Sequence, residues 1–89
     1  MSAMTRWARR VDRNHGAIRD GLRKLGYHVF DCSRLGGGFP DLLVWDKRKL
    51  VLLEVKMPGE QLTQDEEVFH SLFPVAIVHT VDEAKEALE

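Results

Sequence analysis

The sequence predicts an α/β fold in which a central mixed four-stranded sheet is flanked by helices. Three observations predict it: an amphipathic helical segment comes first, three short apolar segments follow, and a fourth apolar segment lies between two further helical segments. The 89 residues are 44% hydrophobic and 30% charged. A chain of this size supports one small core, so residues 1–89 are expected to form a single domain.

The first helical segment carries an apolar stripe surrounded by basic side chains. The stripe comprises Trp7, Val11, Ile18, Leu22 and Leu25. One helix could span the whole stripe, or Asp12 could cap a helix that begins at Arg13 and leave residues 5–11 as a separate turn or arm. In both cases Gly26, just past the last apolar position, is expected to end the helix.

Four apolar segments are predicted as strands. Tyr27 to Cys32 forms the first, and the second and third, Leu42–Trp45 and Leu50–Lys56, form a hairpin around a polar turn at 46–49. The second and third are apolar throughout, which is typical of central strands. Val75–Val78 is the fourth strand.

Two further helices are predicted around the fourth strand. Thr63 and Glu66 have the spacing of a capping box, and they open a helix that Pro74 ends. A last helix is expected at Asp82–Leu88. The side chains expected to point inward are Val68, Phe69 and Leu72 in the former, and Val81, Ala84 and Leu88 in the latter.

Cysteine usage and hydropathy restrict the compartment. The single Cys32 excludes an intrachain disulfide framework, and no closely spaced Cys and His residues indicate zinc. The N-terminus has no apolar signal core, and no apolar run approaches the ~18 residues that cross a membrane. We therefore expect a cytoplasmic protein without a membrane partner.

Charge is divided unevenly along the chain, although the net charge is only -1. Residues 1–59 contain twelve Lys and Arg against six Asp and Glu, whereas residues 60–89 contain one Lys against eight Asp and Glu. A basic N-terminal part is expected of a protein that approaches a polyanion such as DNA. A solvated charged helix gives the same count.

Charged residues end the third strand in an unusual place. Glu54 and Lys56 share a strand face with Leu50 and Leu52, and that apolar face is expected to be buried. Buried charges usually form a pair or bind a metal. A structural Glu54–Lys56 pair is therefore one interpretation, and a metal site is the other.

A metal site at this point would suit phosphodiester hydrolysis. Mg²⁺ typically takes one or two protein carboxylates and keeps several waters. Asp41, at the head of the second strand, and Glu54 can supply them if the hairpin pairs their strands, and the backbone carbonyl of Val55 is a further candidate ligand. Lys56 would then orient the attacking water or offset the charge of the phosphate.

Gly38-Phe39-Pro40-Asp41 followed by Glu54-Val55-Lys56 resembles the G-x-P-D…E-x-K signature of PD-(D/E)xK nucleases. Within that superfamily the chain is most similar to the stand-alone VRR-NUC (virus-type replication-repair nuclease) domains of bacteriophages. Further similarity lies in Val11–His15, Leu22-Arg23, Gly26, Gly36–Gly38, Leu62-Thr63 and Asp65-Glu66.

The resemblance implies a restriction-endonuclease-like αβββαβα core and a Mg²⁺- or Mn²⁺-dependent endonuclease with Asp41, Glu54 and Lys56 as catalytic residues. It also implies a homodimer that acts on branched DNA such as four-way (Holliday) junctions. If the chain is encoded by a phage, it would act in the bacterial host cytoplasm.

The chain departs from the family pattern on its first helix. Many relatives carry a metal-binding acid there, and this chain has Asn14 and His15. Either His15 takes the place of the acid or the site holds one metal; alternatively, both side chains bind buried backbone. Relatives often have Gln at the position of Glu66, which either assists at the site or only completes the capping box.

Several residues are candidate DNA contacts. A glycine loop allows close approach of backbone to phosphate, and an arginine beside it is suited to bind phosphate. The candidates are Arg13, Arg34, Gly36, Gly37, Gly38, Lys47 and Arg48.

Other functions remain open for this chain. His28, His70 and His79 have no recognisable ligand spacing and are interpreted as structural or exposed. A non-catalytic DNA-binding module, or a small subunit of a phage assembly, is the alternative function.

Overall fold

The computed structural model describes residues 13–89. Its elements are α1 (His15–Lys24), β1 (His28–Asp31), β2 (Leu42–Trp45), β3 (Leu50–Val55), α2 (Gln64–Leu72), β4 (Ala76–Val78) and α3 (Val81–Leu88). This order and a four-stranded mixed sheet confirm the predicted α/β class. Trp7, Val11 and the proposed cap Asp12 lie outside the described residues. None of the helices between residues 13 and 89 is long and apolar enough to cross a membrane.

The sheet has the strand order β1-β2-β3-β4. Strands β1, β2 and β3 are antiparallel neighbours, whereas β4 runs parallel to β3 after the crossover through α2. The prediction that β2 and β3 are central is therefore confirmed. Their hairpin turn is held by Asp46, whose carboxylate accepts hydrogen bonds from the backbone N–H groups of Arg48 and Lys49.

The core lies between one face of the sheet and the helices α1 and α3. Its buried members are Ile18, Leu22, Leu42, Val44, Leu53, Val55, Val78, Ala84 and Leu88. Helix α1 begins at His15, with Asn14 as its N-cap, and ends at Lys24. Gly26 follows with a φ of 98°, which is the predicted stop. Leu25 is 52% exposed because the helix has already ended, so its predicted inward position is wrong.

Among residues 13–89, the other face of the sheet is covered only at one end. Leu50, expected to be buried, is 65% exposed, and its cross-strand partner Trp45 is 39% exposed. By contrast Glu54 and Lys56, on the same strand face as Leu50, are buried. Helix α2 lies over these two residues, since Glu66 pairs with Lys56 and His70 lies 3.6 Å from Glu54, and the apolar end of the face is exposed.

Helix α2 differs from its predicted packing. The capping box is confirmed, since Thr63 accepts from the N–H of Glu66 and the Glu66 carboxylate accepts from the N–H of Thr63. Val68 and Leu72, however, are 56% and 70% exposed, so their predicted inward orientation is wrong. The one buried side chain of α2 is Glu66, which is polar.

Candidate active site

Asp41 and Glu54 lie next to each other on neighbouring strands. Asp41 directly precedes β2, and the pairing of Leu42 with Leu53 places it across from Glu54. Its Oδ2 accepts a hydrogen bond of 2.9 Å from the backbone N–H of Val55. The predicted convergence of the two carboxyl groups is therefore present, and the antiparallel hairpin produces it.

Glu54 is in an environment that opposes its negative charge. The residue is 1% exposed. Burial, followed by the adjacent charge and hydrogen bond of Asp41, raises the pKa of Glu54 from 4.5 to about 9. Its Oε1 is buried without a hydrogen-bond partner among the described residues. Two adjacent buried carboxyl groups, one of which has an unpartnered oxygen, fit a divalent cation, because its charge would offset their repulsion.

The site is not a closed cage of side chains. Between residues 13 and 89, no three His, Cys, Asp or Glu side chains are arranged to enclose a metal ion. A cation at Asp41 and Glu54 would consequently keep several waters, which is the usual state of protein-bound Mg²⁺.

Lys56 forms an ion pair with α2 rather than with its neighbour on the strand. Its Nζ lies 2.8 Å from Oε1 of Glu66, and both side chains are buried. Burial would lower the pKa of Lys56, but the hydrogen bond to Glu66 and the negative charges of Glu66, Glu54 and Glu60 together outweigh it and raise the pKa. The structural interpretation that paired Lys56 with Glu54 therefore named the wrong partner. Glu66 completes the capping box, as one of the two interpretations predicts, and it also pairs with the Lys56 ammonium.

Asn14 fixes the backbone at the end of β3. Its Nδ2 donates to the carbonyl of Lys56 at 3.1 Å and to the carbonyl of His79 at 2.7 Å. The His79 ring nitrogen Nδ1 also lies 2.8 Å from the Lys56 carbonyl. Asn14 thus bonds buried backbone, as one of the two interpretations predicts, and it positions Lys56 without reaching the carboxylates itself.

His15 lies in a separate network. Its Nε2 is 3.0 Å from Oδ2 of Asp31, which also binds Arg19, and Oδ1 of Asp31 accepts from the N–H and hydroxyl of Ser33. Partial burial alone would raise the pKa of Asp31, but these hydrogen bonds hold it far below the usual range. Strand alternation places Asp31 on the sheet face of Leu42, which α1 and α3 cover. The structure therefore does not bring His15 to Asp41 and Glu54.

The glycine loop lies at the same end of the sheet as the two carboxyl groups. Gly36, Gly37 and Gly38 all have positive φ, at 74°, 65° and 84°. A Cβ at Gly36 or Gly37 would point into open space, whereas one at Gly38 would overlap the backbone carbonyl of Asp65. Gly38 is buried against α2 and is not free to approach phosphate, which corrects its assignment as a DNA contact.

The predicted basic contacts are divided between two ends of the hairpin. Arg34 is exposed in the loop between β1 and β2, at the end of the sheet where Asp41 lies, and Arg13 is exposed just before α1. Lys47 and Arg48 are exposed in the turn after β2, roughly 13 Å away along a four-residue strand. The fold therefore places Arg34 at the same end of the sheet as the carboxyl groups, and Lys47 and Arg48 at the other end.

His70 is a site residue that sequence reasoning missed. Its Nε2 lies 3.6 Å from Oε1 of Glu54. Glu66 and His70 are one helical turn apart, and Glu54 and Lys56 are two residues apart on a strand, so the two pairs face each other. That matching i, i+4 and i, i+2 spacing was the available signal.

Comparison with known proteins identifies no relative of this chain. No protein-family model matches the chain, and neither a curated protein nor a solved structure is similar to it. What the structure defines is a small α/β protein with a buried pair of carboxyl groups at one end of a mixed sheet.

Proposed function

We propose that this protein is a divalent-metal-dependent endonuclease that hydrolyses phosphodiester bonds in DNA. The observation that carries the proposal is the pair Asp41 and Glu54, buried side by side with an oxygen of Glu54 unpartnered. Mg²⁺ or Mn²⁺ would be held by these two carboxylates and by the backbone carbonyl of Val55. When bound, the cation would acidify a water and offset charge on the phosphate.

The residues around this pair have distinct tasks in the proposed reaction. Asp41, whose Oδ2 accepts from the Val55 N–H, is fixed in orientation before any ligand arrives. Glu66 keeps the Lys56 ammonium protonated and points it to the same end of the sheet. A fixed ammonium at this place would stabilise negative charge on the attacked phosphate or orient the water.

The substrate would be branched DNA, such as a four-way junction, and the protein would cut it as a homodimer. The branched substrate comes from the family resemblance of the sequence. The basic first two thirds of the chain, and an exposed Arg34 at the same end of the sheet as the carboxyl groups, support contact with a polyanion.

The open end of the sheet supports the proposed dimer. Phe30, Trp45 and Leu50 are 66%, 39% and 65% exposed on one face of the sheet, and His28, the cross-strand partner of Trp45, lies on the same face. A two-fold interface brings a patch against itself, so a mainly apolar patch is compatible with its own copy. Leu50→Glu should therefore convert a dimer to a monomer in light scattering.

Cleavage assays test the function directly. Four-way, flap, single-stranded and linear duplex DNA are incubated with Mg²⁺ or Mn²⁺. We expect nicking of branched DNA, and its loss in Asp41→Asn, Glu54→Gln and Lys56→Met. Glu67→Gln, a neutralised exposed carboxylate on α2, is the matched control and should cut normally. DNA binding without cleavage under either ion would instead support the non-catalytic DNA-binding module.

A further inference from the structure

Two buried polar atoms face each other beside the carboxyl pair. Glu54 Oε1 and His70 Nε2 lie 3.6 Å apart, and neither has a hydrogen-bond partner among the described residues. The side chains are 2% and 12% exposed. A distance of 3.6 Å is too long for a hydrogen bond. Buried polar atoms are rarely left unpaired, so a facing pair of them points to a missing partner.

The gap has the size of one edge of a metal coordination shell. A Zn²⁺ ion binds carboxylate oxygen and imidazole nitrogen at about 2.0–2.2 Å, which separates the two ligand atoms by roughly 3.4 Å in a tetrahedral shell. The distance between Glu54 and His70 exceeds this by a few tenths of an ångström. His70 needs only a small inward movement to become a ligand. That movement would add a third side chain to a site in which the structure has two.

We propose that His70 is a direct metal ligand of the Asp41–Glu54 site, and that its imidazole makes the site prefer Mn²⁺ and later first-row cations over Mg²⁺. The inference rests on the proposed metal-dependent function. Imidazole binds transition metals well, whereas Mg²⁺ selects oxygen ligands and keeps its waters. Two carboxylates without His70 would suit Mg²⁺, and the third ligand shifts this preference.

Helix α2 is built to hold the imidazole in this position. Glu66, one turn before His70, is anchored to Lys56 and to the N–H of Thr63, which fixes the rotation of the helix. On the adjacent residue, the Phe69 ring packs edge-on to Phe39, with ring centroids 5.2 Å apart. The helix therefore places His70 next to Glu54 while Glu66 forms an ion pair with Lys56.

Pulsed electron paramagnetic resonance of bound Mn²⁺ tests the inference, because it detects the nitrogen of a coordinated imidazole. The wild-type protein should show nitrogen coupling, and His70→Gln should bind Mn²⁺ without it. His28→Gln, which removes an exposed histidine of β1, should retain the coupling. By calorimetry, His70→Gln should weaken Mn²⁺ and Co²⁺ binding about tenfold or more and leave Mg²⁺ affinity within about twofold.

The outcomes separate this inference from the proposed function. Mn²⁺ bound at Glu54 without nitrogen coupling in the wild type, or with coupling that survives in His70→Gln, would overturn the role of His70 and leave the nuclease proposal standing. A wild-type protein that binds Mg²⁺ but no Mn²⁺ would overturn the role of His70 alone, and one that binds neither ion would overturn both. Circular dichroism of His70→Gln is used to check that the variant is folded before either comparison is made.

Discussion

Lys56 and Glu66 form a buried ion pair, with Nζ and Oε1 2.8 Å apart, that joins the end of β3 to the first turn of α2. The pair sets where α2 lies on the sheet, and Glu66 also caps that helix through the N–H of Thr63. A single side chain thus connects helix formation to the geometry around Glu54.

Glu66→Gln should destabilise the protein because the Lys56 ammonium loses its counter-charge while it remains buried. The amide oxygen can still accept from Thr63, so the capping bond is retained. We expect a loss of about 1–3 kcal/mol in the free energy of unfolding, measured in urea. Glu67→Gln removes an exposed carboxylate from the next position and should stay within about 0.5 kcal/mol. Equal effects of the two changes would contradict a stabilising role for the pair.

Glu54→Gln should make the metal-free protein more stable at neutral and alkaline pH. The pKa of Glu54 is raised on folding, so its contribution to stability is present below the ordinary value of 4.5 and is lost as the pH rises towards about 9. In EDTA, the free energy of unfolding of the wild type should therefore fall progressively below that of Glu54→Gln over this pH range, by about 1–3 kcal/mol at its upper end. Thermal unfolding of both proteins from pH 5 to pH 9 measures this. If the stabilities of the two proteins changed in parallel with pH, folding would not raise the pKa of Glu54.

Gly38→Ala should destabilise the protein more than Gly37→Ala. Both positions have positive φ, so alanine carries a backbone cost of about 1–2 kcal/mol at each. Only at Gly38 does the added Cβ overlap the Asp65 carbonyl, and overpacking adds about 1–3 kcal/mol. Urea unfolding of the two variants isolates the contact with α2. An equal loss would mean that the loop does not pack on the helix.

Asp31→Asn should cost about 1–3 kcal/mol at pH 7, because hydrogen bonds from His15 and Ser33 are made to a carboxylate. The pKa of Asp31 is lowered on folding, so this contribution is present above the ordinary value of 3.8 and is lost as the pH falls below it. The difference between wild type and variant should hence shrink in acid. Asp20→Asn, which breaks an exposed pair with Arg19, should leave the stability nearly unchanged.

Arg34→Gln should weaken binding of branched DNA uniformly across sequences and reduce the salt dependence of binding by about one unit. Arg34 is exposed in the loop between β1 and β2, at the end of the sheet where Asp41 and Glu54 lie. Affinity is measured across a salt series with Ca²⁺ in place of Mg²⁺ to avoid cleavage. Lys85→Gln removes the same charge from α3, on the opposite face of the sheet, and should leave the slope unchanged. A larger change in the salt dependence for Lys85→Gln than for Arg34→Gln would place the DNA on the face of the sheet that α3 covers.

The parts of the fold that could be predicted from the sequence have local signals. The hairpin from Leu42 to Val55 follows from two apolar runs around a polar turn, and the start of α2 follows from the spacing of Thr63 and Glu66. The convergence of Asp41 and Glu54 then follows from antiparallel pairing, which the hairpin imposes.

The parts that could not be predicted depend on packing between distant elements. Apolar periodicity assigns Leu50 to one face of β3 and Leu72 to one face of α2. It does not show whether another part of the chain covers either face, and both side chains are exposed. The bond between His15 and Asp31 requires the position of α1 on the sheet. His70 reaches Glu54 because α2 crosses the end of β3. The matching spacings of Glu54 with Lys56 and of Glu66 with His70 allow this contact, but they do not determine the crossing.

The proposed function depends on Asp41 and Glu54 binding one divalent cation. Crystals soaked in Mn²⁺ and measured for anomalous scattering locate that ion directly. We expect a single peak about 2.0–2.2 Å from an oxygen of each carboxylate, absent in crystals of Glu54→Gln. A peak elsewhere, or none between these two side chains at millimolar Mn²⁺, would contradict it.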